Sequence, residues 1–133
     1  MTSAGSTRSV VAVVDDDQRA LESLADLLEA AGYDVRVYSS ARTFWKSGSL
    51  SDIDCLISDI GMPDLNGIRL RGLALSARPE LPVILITGRT ERRAEHATII
   101  EPDRYFEKPF NGQQLLTALR TCLTQRRSRA AEE

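Results

Sequence analysis

The chain has 133 residues, enough for one ordinary domain that buries its own core without disulfide or metal staples. Apolar residues make up 42% and charged residues 27%, which disfavours wholesale disorder, and 17 basic against 19 acidic side chains leave a net charge of −2, which disfavours direct nucleic-acid binding. The longest apolar runs, Val10–Val14 and Val83–Ile86, fall far short of the ~20 residues that cross a bilayer, and the first eight residues contain no apolar signal core, so no membrane association and a cytoplasmic location are expected. The two cysteines, Cys55 and Cys122, sit among apolar neighbours and read as buried free thiols.

Residues 1–8 are small and polar and are expected to form an N-terminal tail. Val10–Val14 is a β-branched run ended by Asp15-Asp16-Asp17, a first strand. Leu21, Leu24, Ala25 and Leu28 then repeat at helical spacing, with Asp17 placed as a cap and Gly32 placed to end the helix. Residues 33–38 alternate apolar and polar, as a half-wetted strand does. Ser40 can cap a short helix through Phe44 and Trp45. Residues 53–58 are a third, uniformly apolar strand, and Asn66 can cap a helix holding Leu70, Leu73 and Ala74. Residues 82–87 form a fourth strand, 90–97 a weak and poorly anchored helix, and 104–107 a short fifth strand. Asn111 opens a last helix with Leu115, Ala118, Leu119 and Cys122 on one face, and the charged stretch 125–133 reads as a frayed tail.

Strict βα alternation argues a parallel sheet with helices on both faces. The strands at 10–14, 53–58 and 82–87 are the most apolar and suit the centre; the other two suit the edges. The expected fold is therefore α/β, a flavodoxin-like doubly wound (βα)5 with strand order 2-1-3-4-5.

Polar residues collect where the strands end. Asp15 and Asp16 follow the first strand, Asp59 the third, Thr87 ends the fourth and Lys108 follows the fifth. Open α/β sheets bind ligands outside the carboxyl ends of their strands, so these residues should meet in one pocket. Singly, each has an ordinary reading as a turn former, a strand-end hydroxyl or a surface lysine; the coincidence of all of them does not. Clustered carboxylates repel unless a cation neutralises them, and oxygen ligands without His or thiolate point to Mg²⁺. Mg²⁺ keeps room for a phosphate oxygen, and Asp can itself accept a phosphoryl group. The set thus suggests Mg²⁺-dependent phosphoryl transfer to or from an aspartate.

Four motifs resemble those of bacterial two-component response-regulator receiver domains. Leu56-Ile-Ser-Asp59-Ile-Gly-Met62-Pro63-Asp64-Leu-Asn-Gly67 is similar to the phosphoacceptor signature, and Val13-Val-Asp15-Asp16 to the acidic pair. Ile86-Thr87-Gly88 and Phe106-Glu-Lys108-Pro109-Phe110 resemble the switch and lysine-proline segments. Their flavour is closest to receivers of the nitrogen-fixation regulator type. The resemblance covers residues 9–124. It implies that Asp59 takes a phosphoryl group from the phosphohistidine of a histidine kinase or phosphotransfer protein. Asp16, Asp59 and the Gly61 backbone carbonyl would bind Mg²⁺ directly, and Asp15 through a water. Lys108 would pair with Asp59, Thr87 would turn to the new phosphoryl group and Tyr105 would swing inward with it. The Lys108–Pro109 peptide would be cis. Phosphorylation would then switch the surface built by the fourth helix, fifth strand and last helix (α4-β5-α5) toward an unknown downstream protein, the chain being a monomer or a weak phosphorylation-linked dimer.

The chain departs from the family pattern between Thr87 and Lys108, which is about one residue short and carries Pro102 where a Gly-containing turn is usual. A short fourth helix is expected there, with His96 in solvent. Arg89 could tune the lifetime of the aspartyl phosphate. Two other readings compete. Asp15-Asp16-Asp17 also fits the nucleophile motif of haloacid-dehalogenase-like phosphatases, but no further acidic pair follows Lys108 before the tail. A receiver-like module that works without phosphorylation would not need the complete residue set. The expectation is a signalling domain, not an enzyme beyond self-phosphorylation from small donors and autodephosphorylation. With short tails only, no DNA-reading domain fits in the chain, and if the chain is complete its output is expected to be a protein contact.

Overall fold

The computed structural model describes residues 8–62, 65–88 and 104–132, the side chains only as far as residue 125. These residues form β1 (Val10–Val14), α1 (Gln18–Ala30), β2 (Asp34–Tyr38), α2 (Ala41–Ser47), a 3-10 turn (Ser49–Ser51), β3 (Cys55–Asp59), α3 (Gly67–Ala77), β4 (Val83–Thr87), β5 (Tyr105–Glu107) and a C-terminal helix (Gly112–Glu132). The five strands are parallel and ordered β2-β1-β3-β4-β5, the flavodoxin-like topology. The expected fourth helix at 90–97, His96, Pro102 and Arg89 lie outside the described residues, as do Pro63 and Asp64.

Local sequence sets the helix ends. Asp17 caps α1, its carboxylate accepting the Arg19 and Ala20 N–H groups at 3.0 and 3.4 Å. Ser40 caps α2 through the Thr43 N–H, and Asn66 caps α3 through the Arg69 N–H. Asn111 opens the C-terminal helix by accepting the Gln113 and Gln114 N–H groups. Beyond the α1 cap at Ala31, Gly32 takes a φ of +99°, and the Tyr33 N–H returns to the Leu28 carbonyl at 3.1 Å.

Strand alternation divides the interior into two layers. Ala12, Val14, Leu56 and Leu85 point to the side covered by Phe44 of α2 and Leu70 and Ala74 of α3. Val11, Val13, Ile57, Ile84 and Ile86 point to the side covered by Leu21, Leu24 and Leu28 of α1 and Leu115 and Leu119 of the C-terminal helix. Cys55 and Cys122 are buried and free.

One boundary differs from the sequence reading. The C-terminal helix continues through the charged stretch to Glu132 rather than fraying from residue 125. Apart from Ser128 that stretch holds only Arg, Gln, Ala and Glu, with no Gly or Pro, residues that cost a helix little. Among the described residues, no helix is long and apolar enough to cross a membrane.

Candidate functional site

Strand register assembles the site. Val14 pairs with Ser58, so Asp15 and Asp59 leave adjacent strands side by side. The Asp15 N–H still reaches the Tyr38 carbonyl at 3.1 Å, which carries the β1–β2 ladder one residue past the strand. Asp59 pairs with Ile86, and the next residue along β4 is Thr87, which pairs with Glu107 just before Lys108. The Lys108 N–H is tied to the Thr87 carbonyl at 2.8 Å, and the Lys108–Pro109 peptide is cis.

Asp15, Asp16 and Asp59 place one carboxylate oxygen each within 4.8 Å of one another, with Asp15 and Asp59 buried and Asp16 exposed. Lys108 reaches in from β5. Its Nζ donates to Asp15 Oδ2 at 3.2 Å and lies 3.6 Å from Asp59 Oδ1. The other Asp15 oxygen accepts the Asp17 N–H at 2.9 Å. Among the described residues, Asp59 accepts no comparable backbone bond. The electrostatics follow. Burial, then the negative charge of Asp15, push the Asp59 carboxyl up to about 6, and Lys108 only partly offsets this. Desolvation works against the Lys108 ammonium, but Asp15 and Asp59 together outweigh it and hold its pKa above the usual lysine value. A depression of about 90 Å³, lined by Asp16, Ser40, Arg42, Met62 and Leu65 among others, opens beside the acidic cluster.

The remaining expected residues stand around this centre. Thr87 is fully buried and its hydroxyl donates to the Gly88 carbonyl at 3.2 Å. Tyr105 is turned inward, 5% exposed, in the layer with Leu85 and Ile60. Gly61 is exposed between buried Ile60 and Met62.

Two features escaped sequence reasoning. Lys108 hydrogen-bonds Asp15 in addition to its expected ion pair with Asp59. Gly67, the first residue of α3, lies against the backbone behind Asp59: its N–H donates to the Ile60 carbonyl at 3.1 Å, and a Cβ there would stand 2.4 Å from the Asp59 carbonyl oxygen. Only glycine lets the helix start so close to the strand end. Its signals in the sequence are its place at the end of the phosphoacceptor-like signature and the Asn66-Gly67 pair at a helix start.

Comparison with known proteins places the chain in a family. The response regulator receiver domain family matches residues 11–120. The response regulator protein TmoT of Ectopseudomonas mendocina is 34% identical over 119 residues, covering 86% of this chain and 53% of that protein. The transcriptional regulatory protein FixJ of Azorhizobium caulinodans is 33% identical over 124 residues, covering 92% of this chain and 57% of that protein. The chain thus spans about half the length of these curated relatives. Among solved structures, a CheY-like receiver domain protein from Methanospirillum hungatei superposes with a TM-score of 0.81 at 25% identity, covering 92% of this chain and 99% of that one. The chain belongs to the response regulator receiver domain family. It is a signalling domain of the two-component class, and its acidic cluster is one that could hold a metal ion.

Proposed function

We propose that Asp59 is a phosphoacceptor, taking a phosphoryl group from a phosphohistidine on a histidine kinase or phosphotransfer protein. The observation that carries this reading is the meeting of Asp15, Asp16 and Asp59 within 4.8 Å with Lys108 Nζ reaching in at 3.2 and 3.6 Å. The donor set fits Mg²⁺: it is all hard oxygen, without His or thiolate, and burial together with the charge of Asp15 already raises Asp59 to about 6. Asp16, Asp59 and the Gly61 carbonyl would hold the ion, with Asp15 acting through water. When bound, Mg²⁺ would neutralise these carboxylates and draw charge from the phosphoryl oxygens.

The protein's own groups do the rest. Asp59 offers a carboxylate oxygen that is mostly ionised at neutral pH. That oxygen forms a bond to phosphorus as the phosphorus–nitrogen bond of the donor breaks, and the electron pair stays on the imidazole nitrogen. Lys108 would neutralise a phosphoryl oxygen, keeping Asp15 in place as it does so. The Thr87 hydroxyl would leave the Gly88 carbonyl for the phosphoryl group, with inward Tyr105 occupying the space below. The change would be passed to the surface of β5 and the C-terminal helix, and from there to a downstream protein. The phosphatase reading is weaker, because both Asp15 oxygens are already engaged, by the Asp17 N–H and by Lys108. The test is incubation with a phosphorylated histidine kinase and Mg²⁺: label moves to this chain, and does not move to Asp59→Asn. Steady turnover of a phosphomonoester with Asp59→Asn still active would support the phosphatase instead.

A further inference from the structure

The face farthest from the acidic cluster in character lies across α2 and α3. Neither helix contains an acidic residue, while Arg42 and Lys46 stand on α2 and Arg69 and Arg71 on α3. The net charge of the chain is −2, and α1 alone carries Glu22, Asp26 and Glu29, so this basic face is a local reversal. Among the described residues, Arg42, Lys46 and Arg69 have no ion-pair partner.

Apolar side chains lie open within that charge. Trp45 is 39% and Leu73 43% exposed, two of the three large apolar side chains left so open among the described residues. They share a depression of about 290 Å³ with Leu65, Arg42, Lys46 and Arg69. Trp45 also borders a second depression of about 340 Å³ that runs on to Leu50, Ala77 and Arg78. Arg69, Leu73 and Ala77 recur every fourth residue, so they form one strip along α3, with Leu65 just ahead of its Asn66 cap. The two depressions therefore follow the 11 residues of α3, about 17 Å at 1.5 Å per residue.

We propose that the α2–α3 seam is a docking groove for an acidic amphipathic helix of a partner protein. Its length suits about three helical turns, its floor of Trp45, Leu65 and Leu73 suits apolar anchors at helical spacing, and its rim of Arg42, Lys46 and Arg69 selects acidic flanks. The rim argues against a basic occupant, and the aromatic-aliphatic floor argues for a protein rather than a nucleic-acid backbone. Arg42 and Leu65 also line the depression beside Asp16, so a bound helix would end next to the acidic cluster. The groove goes beyond the phosphoacceptor reading and can be tested without it.

Trp45 is the only tryptophan, so its emission reports on the groove directly. The probe is a synthetic helix with Leu at i, i+3, i+4 and i+7 and Glu on its flanks. Controls are the same peptide with Lys for Glu, and a scramble of the acidic peptide that breaks the apolar spacing. The expected result is a saturable blue shift with the acidic helix, about tenfold or more weaker for either control. In the full chain, Lys46→Glu with Arg69→Glu should abolish the preference for the acidic peptide, with the thermal transition retained; Leu73→Ser should weaken binding without changing the preference. No shift with the acidic helix overturns the proposal. So does equal binding of the lysine peptide, a concentration-dependent shift without peptide that tracks dimer formation, or tighter capture of a random DNA duplex.

Discussion

Lys108 binds Asp15 more closely than Asp59, 3.2 Å against 3.6 Å, although both carboxylates are buried beside it. The lysine therefore neutralises a partner that is otherwise held by the Asp17 N–H, and leaves Asp59 under-compensated. Replacing it should expose that imbalance. Lys108→Met is expected to lose about 1–2 kcal/mol at pH 7, a figure kept modest because the lysine side chain is 31% exposed. The loss should shrink at pH 4.5, where Asp59 takes up a proton. Urea unfolding of cation-free protein at the two pH values measures it.

Asp59 itself should act as a brake on stability. Its carboxyl is raised from 3.8 to about 6 on folding. Between those values the folded state binds more protons than the unfolded state, so stability falls as pH rises from about 4 to 6. Asp59→Asn removes the penalty. In cation-free buffer at pH 7 the variant is expected to be more stable by on the order of 1–3 kcal/mol, and its stability should be flatter over that pH range. A variant less stable than the parent at pH 7 would contradict the electrostatic account.

Adding Mg²⁺ should reverse this order. An ion bound only to the folded state stabilises by about 2.7 kcal/mol at a hundred times its dissociation constant. The parent should gain in this way and Asp16→Asn or Asp59→Asn much less, as read by thermal unfolding with and without a chelator. The gain should fade as pH drops below about 6, where a proton competes for Asp59.

Two glycines of α3 should respond with opposite sign. Gly72 has open space where a Cβ would go, so Gly72→Ala should stabilise by up to about 1 kcal/mol. At Gly67 the same change drives a Cβ to 2.4 Å from the Asp59 carbonyl oxygen. Gly67→Ala should cost about 1–3 kcal/mol and slow phosphoryl uptake, because relief requires the backbone that carries Asp59 to move. Paired thermal melts and a phosphotransfer time course separate the two sites.

Much of this arrangement is legible in the residues. Asp17, Ser40, Asn66 and Asn111 cap helices because short polar side chains reach back to free N–H groups, a local property. The strand order follows from which runs are wholly apolar. Asp15, Asp16, Asp59, Thr87 and Lys108 could be gathered at one sheet edge once the strands were parallel. What was not legible depends on distances between elements. Nothing local says that Lys108 reaches Asp15 first, or that α3 starts against the Asp59 carbonyl. Phe44 and Trp45 are adjacent and equally apolar in sequence, yet helical phase buries the first and leaves the second open. That difference, and the basic groove with it, appears only when α2 is set on the sheet.

Asp59 is the proposed destination of the phosphoryl group. Peptide mapping after reductive trapping of the acyl phosphate, on protein charged by a phosphorylated kinase with Mg²⁺, addresses it most directly. One modified residue is expected, Asp59, with none in Asp59→Asn. Modification at Asp15 or Asp16, or label persisting in Asp59→Asn, would contradict it.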